Sequence, residues 1–570
     1  MALGRFMLVL HSHMPYVLSH GKSPHGTDWL FESAAECYLP LLNVLDRFRT
    51  KGIKPRWTVN ISPILAEQLD DPAFVEGFQA YCQEKIDAAE QDKELFRQTD
   101  QLWMTGIAAM WQRVYGQALV QFRHQWHKSI CGAFKGFQDD GLIELITCGA
   151  THGYFPLLST DESIQAQVKL AVENHTKRFN ASPKGIWLPE CAYRPAYSWK
   201  APAGENDSVF PRKGIETFLA ENDLQYFFVD SHMIRGGEPL GTYGEKFPQL
   251  AELFARGKKR FTPPEESRSE YEHYEIGEGV FAFARDPQST VKVWSGDVGY
   301  PGSEWYLEFH KQLYPGRLRY WRISQDKADL GAKQPYDPWV AHELLVTHAK
   351  DFVQIVKSTL AQYRGQADRT GTLVAMYDTE LFGHWWWEGP EFLYEVGHLM
   401  AGDTELECLS GSEVIEKYPT DKSIPLPEGS WGEGGYHSVW LNEDNIWTWE
   451  KLYPAQAKMK RLAGTKPEGL AKQVVEQCAR ELLLAEASDW QFLISSRSAI
   501  DYAEARFADH MTRFDRLAAM AERLLAGESL NEEDLAFLEE SAEKDACFAE
   551  LDLGWWSELD HPIPATPYYG

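Results

Sequence analysis

Two stretches of the chain share one pattern, an apolar run that is followed directly by a carboxylate. They are Gly185–Pro195, with the sequence GIWLPECAYRP, and Thr372–Glu388, with the sequence TLVAMYDTELFGHWWWE. Each apolar run predicts a buried strand, and the carboxylates that follow are Glu190 and Asp378. Polar residues directly after parallel strands lie where barrel enzymes build their sites. We therefore expect Glu190 and Asp378 to share one mouth of a barrel or one edge of a sheet.

Short β-rich runs of the same kind recur along the chain. They are Phe6–Leu10, Trp57–Ile61, Leu142–Thr147, Gly185–Leu188, Tyr226–Val229, Gly279–Ala284 and Thr372–Met376. Several of these runs are separated by segments of helix length. This alternation predicts an α/β fold with either a parallel barrel or an open sheet.

The chain is long enough for more than one domain. Its 570 residues exceed what a single hydrophobic core usually holds. We predict a catalytic domain over 1–430 and a C-terminal helical domain over 431–570. Within the first, 70–137 is charged and helix-patterned, which indicates an inserted helical subdomain. The stretch 236–278 is rich in Gly, Pro and charge and predicts a long lid-like loop, in which Tyr243 is the candidate residue to cover a site.

The C-terminal region shows helical periodicity. Phe507, Met511 and Phe514 recur at i, i+3/i+4 spacing, which predicts one apolar helix face. Gly527 is a plausible end signal for that helix, and Asn531 is a plausible start signal for the next. The region is therefore predicted to be a helical bundle.

Charge and cysteine usage exclude several classes of partner. Lys and Arg total 56 against 84 Asp and Glu, a net charge of −28, which argues against nucleic acid or an anionic membrane and suits a neutral polyol. The eight cysteines lack CxxC spacing, so we expect reduced thiols and no zinc ribbon. The apolar start Phe6–Leu10 is too short for a signal or membrane segment. We expect a cytoplasmic protein that needs neither a cofactor nor a metal.

Two carboxylates at one mouth suit the cleavage of glycosidic bonds. That reaction passes through an oxocarbenium-like transition state, with one carboxylate as nucleophile or base and one carboxylic acid that protonates the leaving oxygen. Trp385 and Trp386, close behind Asp378, would supply flat apolar faces for sugar rings.

Further candidates for substrate binding surround the two carboxylates in sequence. His11 and His13, two apart on one predicted strand, point the same way, which suits sugar hydroxyls, a metal, or packing at the barrel mouth. His152 and His384 are candidates for hydrogen bonds to hydroxyls. The candidate tryptophans are Trp29, Trp294, Trp385, Trp386, Trp431 and Trp440. Asp489 and Trp490 interrupt a regular helical pattern, which suits either a reach toward an acceptor groove or helix packing.

Five ordered motifs resemble those of glycoside hydrolase family 57. They are HSHMPY from His11, GATHGYFP from Gly149, WLPECAY from Trp187, YDTELFGHWW from Tyr377 and SWGEGG from Ser430. Within the family, the stretch Val293–Phe309 and the segment Ala487–Phe492 look like those of its 1,4-α-glucan branching enzymes.

The resemblance implies a fold, a reaction and two roles. It implies a (β/α)7 barrel with an inserted helical subdomain and a C-terminal helical domain. Glu190 matches the position of the nucleophile and Asp378 that of the acid/base. The implied reaction cuts an α-1,4 bond in amylose, amylopectin or glycogen and transfers the chain to a 6-hydroxyl. Retention of configuration requires a covalent intermediate on Glu190. A monomer is expected.

Three other functions remain open from the sequence. An α-glucan hydrolase of the α-amylase type or a 4-α-glucanotransferase would use Glu190 and Asp378 with another acceptor. A metal-dependent polysaccharide deacetylase would place zinc at His11 and His13. A glucan-binding protein without catalysis would not depend on either carboxylate.

Overall fold

The computed structural model describes most of the chain. The described residues are 2–204, 208–240, 250, 261–262, 264–325 and 329–561. Tyr243, the candidate lid residue, lies outside them, as does much of the predicted 236–278 loop.

The strands are β1 Gly4–Ser12, β2 Trp57–Ile61, β3 Ile143–Cys148, β4 Gly185–Trp187, β5 Tyr197–Lys200, β6 Val209–Arg212, β7 Tyr226–Val229, β8 Tyr274–Gly277, β9 Val280–Ala284, β10 Gln312–Leu313, β11 Leu318–Arg319, β12 Thr372–Asp378 and β13 Leu406–Cys408. The α-helices are α1 Thr27–Ser33, α2 Leu39–Thr50, α3 Pro63–Asp70, α4 Pro72–Gln98, α5 Leu102–Val120, α6 Ile130–Asp139, α7 Asp161–Phe179, α8 Ile215–Ala220, α9 Ser231–Arg235, α10 Pro287–Trp294, α11 Pro338–Ala367, α12 Gly389–Ala401, α13 Gly411–Lys417, α14 Ile446–Gly464, α15 Gly469–Ala485, α16 Asp489–Ser496, α17 Ile500–Leu525, α18 Glu532–Lys544 and α19 Gly554–Ser557.

Seven parallel strands form the central barrel. Their order is β12–β1–β2–β3–β4–β7–β9. A parallel bridge between Arg285 and Val374 closes the ring, and the Asp286 N–H donates to the Val374 carbonyl at 2.9 Å. The fold is therefore the predicted (β/α)7 barrel rather than an open sheet.

The barrel strands are apolar because helices cover their outer side. From Phe6 to Leu10 in β1, every side chain is at most 3% exposed. Parallel strands buried on both faces appear in sequence as continuous apolar runs. This burial explains why short apolar runs in the sequence predicted the strands.

A pair of long helices projects between β2 and β3. The helices α4 and α5 pack against each other, and α4 begins at Pro72 with Asp71 as its N-cap. The pair rests on the ribbon formed by β10 and β11, where the Trp111 indole donates to the Arg319 carbonyl at 2.5 Å and Lys85 donates to the Gly316 carbonyl at 2.9 Å. The precise domain boundaries stay a prediction.

The C-terminal region is helical, as predicted. Phe507 and Phe514 of α17 are fully buried, and α15 packs against this helix. The helix ends two residues before Gly527, which has a φ of 85°. The Asn531 side chain accepts from the Asp534 N–H at 2.8 Å and caps α18.

Two further observations concern the cysteines and the apolar character of the helices. None of the eight cysteines, all of which lie in the described ranges, forms a disulfide. Among the helices that the structure describes, none combines the length and the apolar character needed to cross a membrane.

Candidate active site

Glu190 and Asp378 lie at the carboxyl ends of two barrel strands. Asp378 is the last residue of β12, and Glu190 follows β4 in a short 3₁₀ turn. Around the ring, β7 and β9 separate β4 from β12 on one side, and β1, β2 and β3 separate them on the other. Glu190 and Asp378 therefore lie on opposite sides of the mouth of the barrel.

The backbone at Glu190 turns sharply. Glu190 has a φ of 60° and Cys191 a φ of 48°, both in the left-handed region that residues other than glycine rarely adopt. The Trp431 N–H donates to the Glu190 carbonyl at 3.1 Å and helps to hold this turn. Backbone conformations of this kind cluster at functional sites, where they aim a side chain.

Two side chains from the C-terminal part of the chain contact the Glu190 carboxyl. The Trp431 indole donates to Oε2 at 2.8 Å, and the Ser488 hydroxyl is 3.2 Å from Oε1. The side chain is only 13% exposed. Burial raises the pKa of Glu190 to about 7, and the Trp431 hydrogen bond opposes this shift only in part.

Three histidines form a stack beside Glu190. The His152 ring lies 4.0 Å from the His13 ring and 5.1 Å from the His11 ring, measured between centroids. Nε2 of His11 and Nε2 of His152 are 3.0 Å apart. Burial lowers the pKa of His11 and of His152 well below the usual value, so burial favours neutral imidazoles here. His11 also stacks on Trp187 at 4.6 Å.

The C-terminal domain contributes directly to this site. Asp489 Oδ2 is 3.0 Å from His13 Nε2, and the Ser488 N–H donates to the His152 carbonyl at 3.1 Å. A backbone bridge pairs Gly153 with Ala487. The segment that begins α16 therefore lies at the mouth of the barrel, beside His13 and His152.

The second carboxylate shares its end of the barrel with this stack. Asp378 is paired with His11 in the register of β12 and β1. The next acidic residue, Glu380, accepts from the His13 N–H at 3.2 Å and from the Tyr38 hydroxyl at 2.5 Å. Burial raises the pKa of Glu380 to about 7. Glu380 lies within the motif of Asp378 but is not among the residues predicted from the sequence.

The predicted tryptophans differ in position and in exposure. Trp431 and Trp294 are only 2% and 6% exposed and pack edge-to-face, with centroids 5.8 Å apart, so they form the wall of the mouth beside Glu190. Trp385 is 41% exposed and lies 4.4 Å from the Phe309 ring. Trp29 on α1 is half-buried beside His25. Trp385 and Trp29 therefore remain candidates for contact with sugar, whereas Trp431 and Trp294 support the wall of the site.

Other predicted contacts are buried away from any open surface. Trp386, Trp440 and Trp490 are at most 2% exposed. The Trp440 ring stacks on Tyr154 at 4.6 Å, and the Trp490 indole donates to the Leu484 carbonyl at 2.8 Å. Rings buried in this way support the walls of the site rather than touch a substrate, so we do not include them in the proposed binding surface.

His384 is placed apart from the other predicted histidines. It is 6% exposed, and its Nδ1 lies 3.4 Å from Glu32 Oε1. Burial acts to raise the pKa of Glu32, but the hydrogen bond from His384 and the nearby Arg319 lower it below its usual range. The structure therefore joins His384 to a buried ion pair rather than to Glu190.

The histidine stack is already saturated with hydrogen bonds. Ligand atoms of His13, His152 and Asp489 lie within 4.8 Å of one another. The nitrogens of His13 meet Ser62 and Asp489, at 2.9 and 3.0 Å. Those of His152 meet Ser488 and His11, at 2.8 and 3.0 Å. A cation would have to displace these partners, so the donor set fits hydrogen bonding better than metal binding.

A parallel (β/α)7 barrel with opposed carboxylates, imidazoles and indoles at its mouth defines a glycoside-cleaving enzyme. The sequence profile of glycosyl hydrolase family 57 matches residues 7–427, and that of the C-terminal domain of 1,4-alpha-glucan branching enzymes matches residues 451–556. The chain belongs to glycosyl hydrolase family 57.

Individual relatives extend over nearly the whole chain. A 1,4-alpha-glucan branching enzyme of Thermococcus kodakarensis is 40% identical over 556 residues, which cover 97% of this chain and 78% of the relative. The crystal structure of a branching enzyme of this family from Pyrococcus horikoshii superposes with a TM-score of 0.87 at 36% identity, covering 100% of this chain and 99% of that one. The alpha-amylase AmyC from Thermotoga maritima superposes with a TM-score of 0.79 at 29% identity, covering 98% and 100%.

Proposed function

We propose that this protein is a 1,4-α-glucan branching enzyme. It cuts an α-1,4 bond and transfers the released chain to a 6-hydroxyl, which creates an α-1,6 branch. The observation that best supports the proposal is a contact between the barrel and the region that matches the C-terminal domain of branching enzymes. Ser488 lies in the part that resembles the C-terminal domain of branching enzymes, and it contacts the Glu190 carboxyl of the barrel.

The proposed chemistry assigns one role to each carboxylate. Glu190 attacks the anomeric carbon while Asp378 protonates the departing 4-oxygen, and a glycosyl ester forms on Glu190. Asp378 then takes the proton of an incoming 6-hydroxyl, whose oxygen displaces Glu190 from the ester. Two inversions at the same carbon retain the configuration.

The proposed substrate is a neutral α-1,4-glucan such as amylose, amylopectin or glycogen. Trp385, which is 41% exposed, offers an apolar ring face, while His13 and Asp489 offer polar atoms. Trp29 is a more peripheral candidate. The net charge of −28 is compatible with a neutral polymer. We also propose that the protein works as a monomer in the cytoplasm.

A hydrolase is the second candidate, and one observation favours it. The chain superposes over almost its full length on AmyC, which is named an alpha-amylase. A hydrolase would use Glu190 and Asp378 in the same roles, with water in place of the 6-hydroxyl. The two activities therefore differ in the acceptor and not in the first step.

The metal-dependent deacetylase is disfavoured by the site itself. Both nitrogens of His11 already have partners, Asn60 Oδ1 at 2.7 Å and His152 Nε2 at 3.0 Å. Stoichiometric zinc at His11 and His13, with loss of activity in chelator, would overturn our assignment.

The test is incubation of the purified protein with amylose. Proton NMR follows α-1,6 linkages while reducing ends are counted in parallel, with Glu190→Gln and Asp378→Asn as controls. We expect new α-1,6 signal with few new reducing ends, and loss of that signal in both variants.

Two other results would contradict the proposal. Reducing ends without α-1,6 signal would make the protein a hydrolase on the same scaffold. Glucan binding that is unaffected in both variants, without any reaction, would make it a binding protein.

A further inference from the structure

A continuous row of hydrogen bonds leads from Glu190 into the barrel wall. Its links are Glu190 Oε1 to Ser488 Oγ at 3.2 Å, Ser488 Oγ to His152 Nδ1 at 2.8 Å, His152 Nε2 to His11 Nε2 at 3.0 Å, and His11 Nδ1 to Asn60 Oδ1 at 2.7 Å. All five residues are buried or nearly so. Of these five residues, only Glu190 is placed to react with a sugar.

The far end of this row fixes the direction of its hydrogen bonds. The Asn60 Nδ2 donates to the Ile146 carbonyl at 3.1 Å, which leaves Oδ1 facing His11. Oδ1 can only accept, so His11 Nδ1 must carry a proton. A neutral His11 then has a bare Nε2, which accepts from the Nε2–H of His152.

The positions of the protons in this row determine the protonation state of Glu190. A neutral His152 that donates from Nε2 has a bare Nδ1, which takes the hydroxyl proton of Ser488. Ser488 Oγ then offers only lone pairs to Glu190 Oε1. The Glu190–Ser488 bond exists in that state only when Glu190 itself carries a proton.

A second arrangement keeps every bond with the same number of protons. The Glu190 proton moves to Ser488 Oγ, and the Ser488 proton moves to His152 Nδ1. Glu190 becomes a carboxylate that accepts from Ser488, and His152 becomes an imidazolium that donates from both nitrogens. Nδ1 of His152 and Oε1 of Glu190 are 3.9 Å apart, which suits an ion pair.

We propose that the row of Asn60, His11, His152, Ser488 and Glu190 holds one mobile proton, and that its shift onto His152 ionises Glu190 for attack. This inference rests on the proposed role of Glu190 as nucleophile. While the glycosyl ester exists, the imidazolium of His152 balances the charge of Asp378, which has given its proton to the leaving oxygen. When the acceptor hydroxyl returns a proton to Asp378 and displaces Glu190, the starting proton count is restored.

The surroundings favour the uncharged state at rest. Burial raises the pKa of Glu190 and lowers that of His152, which opposes the ion pair. The His13 ring stacks on His152, and Asp489, which is bonded to His13, is the charged group that acts most strongly to raise the pKa of Glu190. Cys148, Asp378 and Glu380 are further titratable groups at this end of the barrel. The shift therefore accompanies the reaction rather than preceding it.

Asn60 is a positioning residue in this scheme, and two substitutions there test it. Asn60→Asp and Asn60→Leu both lose the bond to the Ile146 carbonyl, so they share its structural cost. A carboxylate at position 60 stabilises positive charge on the imidazole pair, whereas leucine leaves His11 Nδ1 without an acceptor. The measurement is the pH dependence of kcat/KM for amylose cleavage, counted as all broken α-1,4 bonds.

We expect the two variants to differ in opposite directions from the wild type. At pH ~5.5, activity relative to pH ~7.5 should rise in Asn60→Asp and fall in Asn60→Leu, with a ratio of about tenfold between them, equivalent to one pKa unit. Movement of both profiles in the same direction, or no movement, would overturn the proposal. A purely structural role for Asn60 would lower both activities without separating the profiles.

A second measurement does not depend on catalysis. In protein labelled with ¹⁵N-histidine, the ring nitrogens of His152 should titrate together with Glu190, and this coupling should disappear in Glu190→Gln. Independent titration of His152 in both proteins would overturn the proposal. If the wild type cleaved no glucan, the proposed function would fail while this titration would still decide whether the row holds a mobile proton.

Discussion

Two clusters of the same composition lie in this molecule and behave differently. We call His13, His152 and Asp489 the mouth cluster, and His20, His510 and Asp545 the seam cluster, which joins the barrel to the C-terminal helices. In each, the potential ligand atoms lie within 4.8 Å of one another. The side chains of His13 and Asp489 are 10% and 15% exposed, whereas no side chain of the seam cluster exceeds 2%.

The clusters differ most in the charge that faces them. In the seam cluster, Arg506 donates to His510 Nε2 at 3.1 Å, while Glu481 is 2.8 Å from His510 Nδ1. The groups that act most strongly on Glu190, beside the mouth cluster, are Trp431, Asp489, His13 and Ser488. None of these carries a permanent positive charge. We infer that the seam cluster is structural, because the charge of Arg506 is permanent. At the mouth cluster, positive charge can arise only when a histidine takes up a proton.

The largest expected effect is that of a substitution at Glu190, which should lower activity but raise stability at high pH. Glu190→Gln should reduce the rate on amylose by about 10⁴-fold or more, since the nucleophile is lost. The folded-state pKa of Glu190 is raised above the unfolded value, so its contribution to stability is lost as pH rises through about 7. At pH ~8 the variant should therefore be more stable than the wild type by about 1–3 kcal/mol, measured by urea unfolding.

Glu388→Gln is the matched control for this substitution. Burial also raises the pKa of Glu388 to about 7, and this carboxyl accepts from the Tyr336 hydroxyl at 2.7 Å. The control should gain stability at high pH and keep its activity. Equal loss of activity in both variants would contradict the special role of Glu190.

The seam cluster should show the reverse behaviour. His510→Ala removes the partner of Glu481 and of Arg506 in a fully buried place, which should cost about 2–4 kcal/mol of unfolding free energy. Activity per folded molecule should not change. The exposed His398→Ala should change stability by less than about 0.5 kcal/mol. A seam substitution that abolished activity without loss of stability would remove the distinction between the clusters.

Stability should also depend on pH through the seam. Burial lowers the pKa of His20 to about 4 and that of His510 to about 3. Both values lie below the unfolded value, so the unfolded chain binds more protons and the free energy of unfolding falls as pH drops below about 6.5. The slope should approach about 1.4 kcal/mol per pH unit for each histidine. Urea unfolding at several pH values measures it, and His20→Gln should flatten the slope.

The apolar runs predicted the strands of the barrel well, although they did not distinguish a closed barrel from an open sheet. Fully buried parallel strands such as β1 and β12 appear as unbroken apolar runs, and the residue that ends such a run lies at the mouth whatever surrounds it. Glu190 and Asp378 could be placed for that reason. The ribbon of β10 and β11 carried no such signal, since its strands have two residues each.

The rest of the site depends on contacts that no local pattern encodes. Ser488 reaches Glu190 across 298 positions of the chain, and Asn60 meets His11 across 49. Neither residue type is unusual enough to be selected from sequence. Trp440 was predicted because it lies beside a motif and Trp490 because it interrupts a helical pattern, but a sequence does not say which indole points inward. Side-chain direction is decided by packing between distant segments.

The smallest expected effect concerns how a neutral donor holds the nucleophile. Trp431→Phe removes the 2.8 Å hydrogen bond to Glu190 Oε2, a bond that favours the carboxylate. The pKa of Glu190 should rise further, and the acidic limb of the profile of kcat/KM should move up by about 0.5–1 pH unit. Trp449→Phe is the matched control, because its buried indole donates to the Trp440 carbonyl at 2.7 Å and does not contact Glu190. An equal shift of the acidic limb in both variants would mean that the change in packing, and not the lost hydrogen bond to Glu190, causes the shift. A shift in Trp431→Phe alone would mean that a single uncharged hydrogen bond lowers the pKa of a buried group at the mouth. At the seam, burial and the charge of Arg506 lower the pKa of His510.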